Sequence, residues 1–91
     1  MANTASAKKR IRSSAAKRER NRVYRSAART YIKHTREAIE QGDLVEAEAW
    51  AGKATKTLDK AAAKGILHRR NVDRRKGRLM KALAAAKKEA S

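Results

Sequence analysis

Three stretches of this chain repeat apolar residues at helical spacing, and the cleanest lies in the middle. Leu44, Ala47, Ala51, Ala54, Leu58 and Ala61 step by three, four, three, four and three residues. That spacing draws a single stripe along one helix face. Val72, Leu79, Leu83 and Ala86 repeat the pattern further on, and Tyr24, Ala27, Ala28, Tyr31, Ile32, Ala38 and Ile39 form a third stripe before it. Gly42 and Gly65 fall between the stripes, where glycine ends helices. The pattern predicts helices over residues 6–41, 44–64 and 69–87. Asp43 is placed to cap the second, with Glu46 three residues later in the capping-box position. Lys64 stands in its last turn, where a cation suits the helix dipole. Gly77 falls inside the third helix and costs about 1 kcal/mol relative to alanine. Short connections favour antiparallel neighbours. The expected fold class is all-α, a three-helix bundle close-packed by small alanines.

The first helix does not fit inside that bundle. Across residues 8–22 the one sizeable apolar side chain before Val23 is Ile11, while Lys8, Lys9, Arg10, Arg12, Lys17, Arg18, Arg20 and Arg22 point all round. A helix polar on every side has no protein surface to pack on. At 1.5 Å per residue the first helix spans roughly 54 Å and the second about 30 Å. A long, basic first helix should therefore overhang the bundle, its first two to four turns frayed until a polyanion meets them. We read residues 1–91 as one domain, with 1–22 a basic extension and 23–91 the bundle.

Composition supports a small, marginal core. The chain has 91 residues, no Phe, one Trp and two Tyr, and a chain this short buries little surface. Tyr24 and Tyr31 align with the apolar face and are read as core. Trp50 flanks the second stripe and is read as a core edge packing on the first helix. The absence of cysteine excludes disulfides and thiolate chemistry.

Charge changes the picture most. The net charge is +16, where solubility alone asks for roughly 2–8. Residues 1–30 carry ten basic and one acidic side chain, residues 31–65 six of each, and residues 66–91 nine and two. The middle helix is thus a neutral scaffold between two cationic neighbours. Arg18, Arg22, Arg25, Arg29, Lys33 and Arg36 share an arc of about 80° on the first helix. Arg70, Arg74, Arg78 and Lys81 form a second ridge, opposite Val72, Leu79 and Leu83. A merely solvated face mixes signs, as Glu46, Glu48, Lys53, Lys56, Asp59 and Lys60 do. Single-sign ridges rich in arginine suit phosphate, which the guanidinium fork binds bidentately. A nucleic-acid partner is expected.

Other chemistries find no residues. His34 and His68 lack companions for a metal site or a catalytic constellation, and His68 is placed either to cap the third helix or to touch a phosphate. No Gly-rich phosphate loop, zinc-finger, RRM or KH signature is present. No cofactor, metal or small-molecule substrate is expected, and the chain is read as no enzyme. No apolar run nears the roughly 20 residues of a membrane span, and the start lacks a signal peptide's hydrophobic segment. Its basic, Ser- and Ala-rich character is shared with transit peptides, but a cytoplasmic protein with a functional basic terminus is the preferred reading. Two alternatives remain on composition alone: a DNA-binding nucleoid protein, and a basic helix on anionic membranes. The second lacks large apolar residues opposite its cations.

Two stretches add a resemblance. Met1-Ala2-Asn3 followed by Ser6-Ala7-Lys8-Lys9-Arg10, and Ala62-Ala63-Lys64-Gly65-Ile66-Leu67-His68 running on to Arg74-Arg75-Lys76 and Arg78-Leu79, resemble the bacterial small-subunit ribosomal protein S-twenty family. The resemblance covers the whole chain, including the Gly42-Asp43 turn. It implies a three-helix bundle with an extended first helix, bound directly to small-subunit ribosomal RNA early in assembly. It implies that the chain bridges the 5′ domain and the long stem near the 3′ end, with few protein contacts, in the cytoplasm. The family's RNA contacts carry over by position to Lys8, Lys9, Arg10, Lys64, His68, Arg74, Arg75, Lys76 and Arg78. With the ridges, the candidate RNA-binding set also takes in Arg12, Lys17, Arg18, Arg20, Arg22, Arg25, Arg29, Lys33, Arg69 and Arg70. Three positions depart from the family: Arg70 stands where Asn is common, Asp73 where Ala is, and Gly77 replaces Ser. Asp73 repels phosphate unless Arg69 or Arg70 pairs with it.

Overall fold

The structure, a computed structural model, describes residues 5–90. The opening Met1-Ala2-Asn3, and with it the start of the predicted extension, lies outside the described residues. Three helices follow in order: α1 Ala5–Glu40, α2 Leu44–Ala63 and α3 Arg69–Ala90. Each predicted boundary lies within three residues of the observed one, the largest difference being the extra turn at the end of α3.

Both turns are built by the expected glycines. Gly42 and Gly65 have φ of +76° and +74°, where an L side chain is strained. At the first turn, the Gly42 N–H donates to the Ile39 carbonyl at 3.1 Å and the Asp43 N–H to Ala38 at 2.9 Å. The second turn repeats this with Gly65 to Ala62 at 3.1 Å and Ile66 to Ala61 at 2.8 Å. This paired pattern closes a helix with its last carbonyls satisfied. Buried Ile66 lies just beyond the second turn. Asp43 Oδ1 accepts from the Glu46 N–H at 3.1 Å, so the predicted cap forms. The reciprocal half of the capping box does not, because the Asp43 N–H is already spent on Ala38. His68 resolves as a cap: its Nδ1 accepts from the Arg70 N–H at 3.1 Å, and its carbonyl accepts from Val72.

The core is narrow and made mainly of alanine. Ala38, Ala47, Ala51, Ala54, Leu79 and Leu83 form one buried cluster, flanked by Tyr31, Ile32 and Ile39. Ala28, Leu58 and Val72 form a second, against which Ile32, Ala62 and Leu67 pack. Thr35 is fully buried among them, and its hydroxyl donates to the Tyr31 carbonyl one turn back at 2.8 Å. That bond removes the cost of an unsatisfied buried hydroxyl. Trp50 packs on α1 as expected, its ring 5.8 Å from Tyr31 and 4.5 Å from His34.

The molecule is a rod of 65 × 22 × 15 Å with a radius of gyration of 17.7 Å, against roughly 12 Å for a compact chain of this length. Its length comes from α1. Every residue from 8 to 20 is exposed, so the amino-terminal half overhangs as predicted. The remainder of α1 lies mainly along α2, α3 rests on the same scaffold, and α1 and α3 touch least.

The glycines give a matched pair of expectations. Gly65→Ala forces a side chain into the left-handed region and should destabilise by about 1–2 kcal/mol. Gly77 lies inside α3 with nothing within 4 Å of an added Cβ, so Gly77→Ala should stabilise by about 1 kcal/mol. Thermal melts of the two variants should shift in opposite directions.

Candidate nucleic-acid interface

Because α1 and α3 meet sparingly, a cleft of about 290 Å³ runs between them. Its walls are Arg29 and Arg36 of α1 and Arg74, Arg75 and Arg78 of α3, with Ile32 at its base. No carboxylate lines it. Arg75 is held by its own helix, its Nε donating to Asn71 Oδ1 at 2.7 Å. A second concavity of about 450 Å³ opens at the start of α3, lined by His68, Arg70, Asn71 and Arg74. Arg74 belongs to both, so the two form one cationic surface. His68 therefore caps α3 and lines this surface at once.

Arg36, a member of the α1 ridge outside the candidate contacts, lines the cleft, and Ile32 of the core stripe lines it too. Its place on the cationic arc is the sequence signal for Arg36. On the same ridge, Arg25 donates to the Ile66 carbonyl at 3.2 Å and ties α1 to the α2–α3 connection. Arg22 pairs with Glu19 at 2.8 Å and Lys33 lies 4.0 Å from Glu37. These are exposed pairs of small worth that leave their cations near the surface. Lys8, Lys9, Arg10, Arg12, Lys17, Arg18 and Arg20 stand exposed along the overhang. Lys64 lies over the Tyr24 ring at 5.8 Å, so one face of this half-buried tyrosine is already covered.

Two candidate residues turn toward α2. Lys76 Nζ lies 2.9 Å and Arg69 Nη1 3.3 Å from the same Asp59 oxygen of α2. Arg69 also lies 3.6 Å from Asp73, which supplies the pairing that departure requires. The trio clamps α3 to α2, and a second pair, Lys87 with Glu48, joins the helices at their other end. Arg69 and Lys76 thus sit apart from the arginine cleft.

The hydrogen bond from Lys76 holds the Asp59 carboxylate below its ordinary value of 3.8, with the charges of Lys76 and Arg69 helping and desolvation opposing. The sign follows from that direction. The clamp's contribution is fully present above the ordinary value and is lost as the pH falls through the lowered one. An NMR titration of the Asp59 carboxyl carbon should show a midpoint below 3.8, and Lys76→Ala should move it back up.

Among the described residues, no helix is long and apolar enough to cross a membrane, and no group of three or more His, Asp or Glu could hold a metal ion.

Sequence comparison points the same way as this geometry. Residues 2–84 match the family model described as Ribosomal protein S20. The Small ribosomal subunit protein bS20 of Thermomicrobium roseum is 53% identical over 81 residues, 89% of this chain and 82% of that protein. That of Dehalococcoides mccartyi is 49% identical over 88 residues, covering 97% of this chain and all of its own length. That of Nitrosomonas europaea is 48% identical over 85 residues, 93% of this chain and 98% of its own. The chain belongs to the Ribosomal protein S20 family, structural and non-enzymatic constituents of the small ribosomal subunit.

Proposed function

We propose that this chain binds small-subunit ribosomal RNA directly and holds separate RNA segments together as the subunit folds and assembles. The observation that carries the reading is the convergence of five arginines from two helices on a cleft lined by no carboxylate. Guanidinium groups on opposite walls can each hold a phosphate, so the cleft can join backbone stretches that would otherwise repel. Recognition is then through backbone and shape, as expected for RNA helices whose major groove is too deep and narrow for side chains to read. The neutral α2 acts as the scaffold that sets the two cationic helices at a fixed spacing. Functionally the chain divides near residue 22, into an extension that meets RNA alone and a bundle that presents the cleft. Its partners are the 5′ domain and the long stem near the 3′ end, and its place is the ribosome of the bacterial cytoplasm.

The test is binding to the isolated 5′ domain across a salt series, with duplex DNA as competitor. Tight binding that resists DNA is the expected result, with a log–log salt slope of several units at roughly 0.7–0.9 per phosphate. Equal affinity for both polymers would contradict specific RNA recognition.

A further inference from the structure

The overhang of α1 carries a pattern that the arginine ridge does not account for. Over residues 18–36 one arc of α1 is cationic, yet carried back toward the amino terminus the same arc holds Ile11, Ser14 and Ala15. At 100° per residue these three share about 100° of circumference. All are exposed, Ile11 at 57% despite being the one large apolar side chain of the segment. Cations flank the arc on both sides. Over residues 8–17, Lys8 and Arg12 form one row and Arg10 and Lys17 the other, the rows standing roughly 170° apart; the pattern ends at Arg18, which lies on the arc itself, and Glu19, which lies in line with the first row. Ile11 sits with Lys8 and Arg12 around a shallow concavity. The far side of the helix carries Lys9, Ala16 and Arg20.

A helix lying on a flat anionic surface would aim its cations at that surface. Over residues 8–17 the residues between the rows are short or apolar, and Lys8, Arg12, Arg10 and Lys17 reach sideways. We infer that the overhang lies in the minor groove of double-helical RNA, with Ile11, Ser14 and Ala15 on the groove floor and one cationic row on the phosphates of each strand. This rests on the RNA-binding reading above and specifies the groove. The A-form minor groove is wide and shallow, whereas the major groove is too narrow and deep for side chains to read. A helix with its side chains is about 10–12 Å across and needs the open groove. Its floor offers ribose carbons for Ile11 and 2′-hydroxyls for Ser14, and the small neighbours let the backbone come close. The two rows then match the two phosphate ridges in charge.

The test uses directed hydroxyl-radical cleavage by the full chain. No cysteine is present, so Ile11→Cys and Ser14→Cys each accept a single iron–EDTA tether on the inferred contact arc, and Ala16→Cys accepts one on the opposite side. On the bound 5′ domain, the first two should cut both strands of one duplex, offset toward the 3′ side on each, several-fold more strongly than the third. Cuts offset toward the 5′ side, cuts on a single strand, or equal cutting from all three positions would overturn the groove assignment while leaving RNA binding intact. Loss of binding by the untethered chain, read in the salt series, would overturn both.

Discussion

Replacing Arg29, Arg74 and Arg78 together by glutamine is expected to weaken binding to the 5′ domain by on the order of 10²–10³-fold at physiological salt. The three stand on opposite walls of the α1–α3 cleft. A hydrogen bond to a charged group contributes about 1.5–3 kcal/mol, and about 1.4 kcal/mol is a tenfold change in affinity. Three contacts at the low end give roughly 4.5 kcal/mol, which non-additivity brings into the stated range. The salt slope should fall by about one unit for each phosphate contact removed. The fold should not suffer. None of these side chains is buried, and the substitutions reduce a net charge of +16 that repels itself. The melting temperature should hold or rise. A triple variant that loses RNA binding together with its melting transition would mean that the arginines act through the fold instead.

Leu58→Ala should have the largest effect on stability. Leu58 is fully buried between Ala28 of α1 and Val72 of α3, where all three helices meet. Removing a buried leucine side chain costs about 2–5 kcal/mol, and a chain of this size has roughly 5–14 kcal/mol to lose at 0.05–0.15 per residue. An alanine-rich surround has little side-chain mass with which to fill the gap. The melting temperature should fall by about 8 °C or more, at about 4–8 °C per kcal/mol. Val45→Ala, at an exposed position, should change the stability by no more than about 0.5 kcal/mol. Ile32 packs on the Leu58 cluster and also forms the base of the arginine cleft. The damage should therefore reach binding, and saturating RNA should restore part of the lost stability by mass action.

The helices and turns could be read from the chain because their causes are local. A stripe at steps of three and four needs no knowledge of the partner surface, and Gly42 and Gly65 mark where the chain takes a positive φ. Asp43 and its bond to Glu46 span three residues. What escaped depends on how the helices register against one another. Asp59 gave no sign that it would meet Lys76 seventeen residues on and Arg69 ten residues on. Along the chain Lys76 consequently reads as an RNA contact alone, and Arg69 as an RNA contact whose one foreseeable partner is Asp73. The ridges were visible as faces, but their convergence on a common cleft follows from α1 and α3 sharing α2 as a bed. Thr35 was hidden by its polarity: it sits on the core face of α1, and only its bond to the Tyr31 carbonyl makes that tolerable.

The position of Trp50 has a consequence for how folding is watched. It is the single tryptophan, and it packs against Tyr31 and His34 where α2 meets the later turns of α1. Its emission therefore reports the docking of those two helices and is blind to the overhang. Far-UV ellipticity counts every helical turn, including those held by no tertiary packing. On heating, ellipticity should begin to fall before the indole signal moves, so the two probes trace non-coincident curves. A single two-state fit to either would then misstate the free energy of the whole chain, and the gap between them measures how much helix exists without a core.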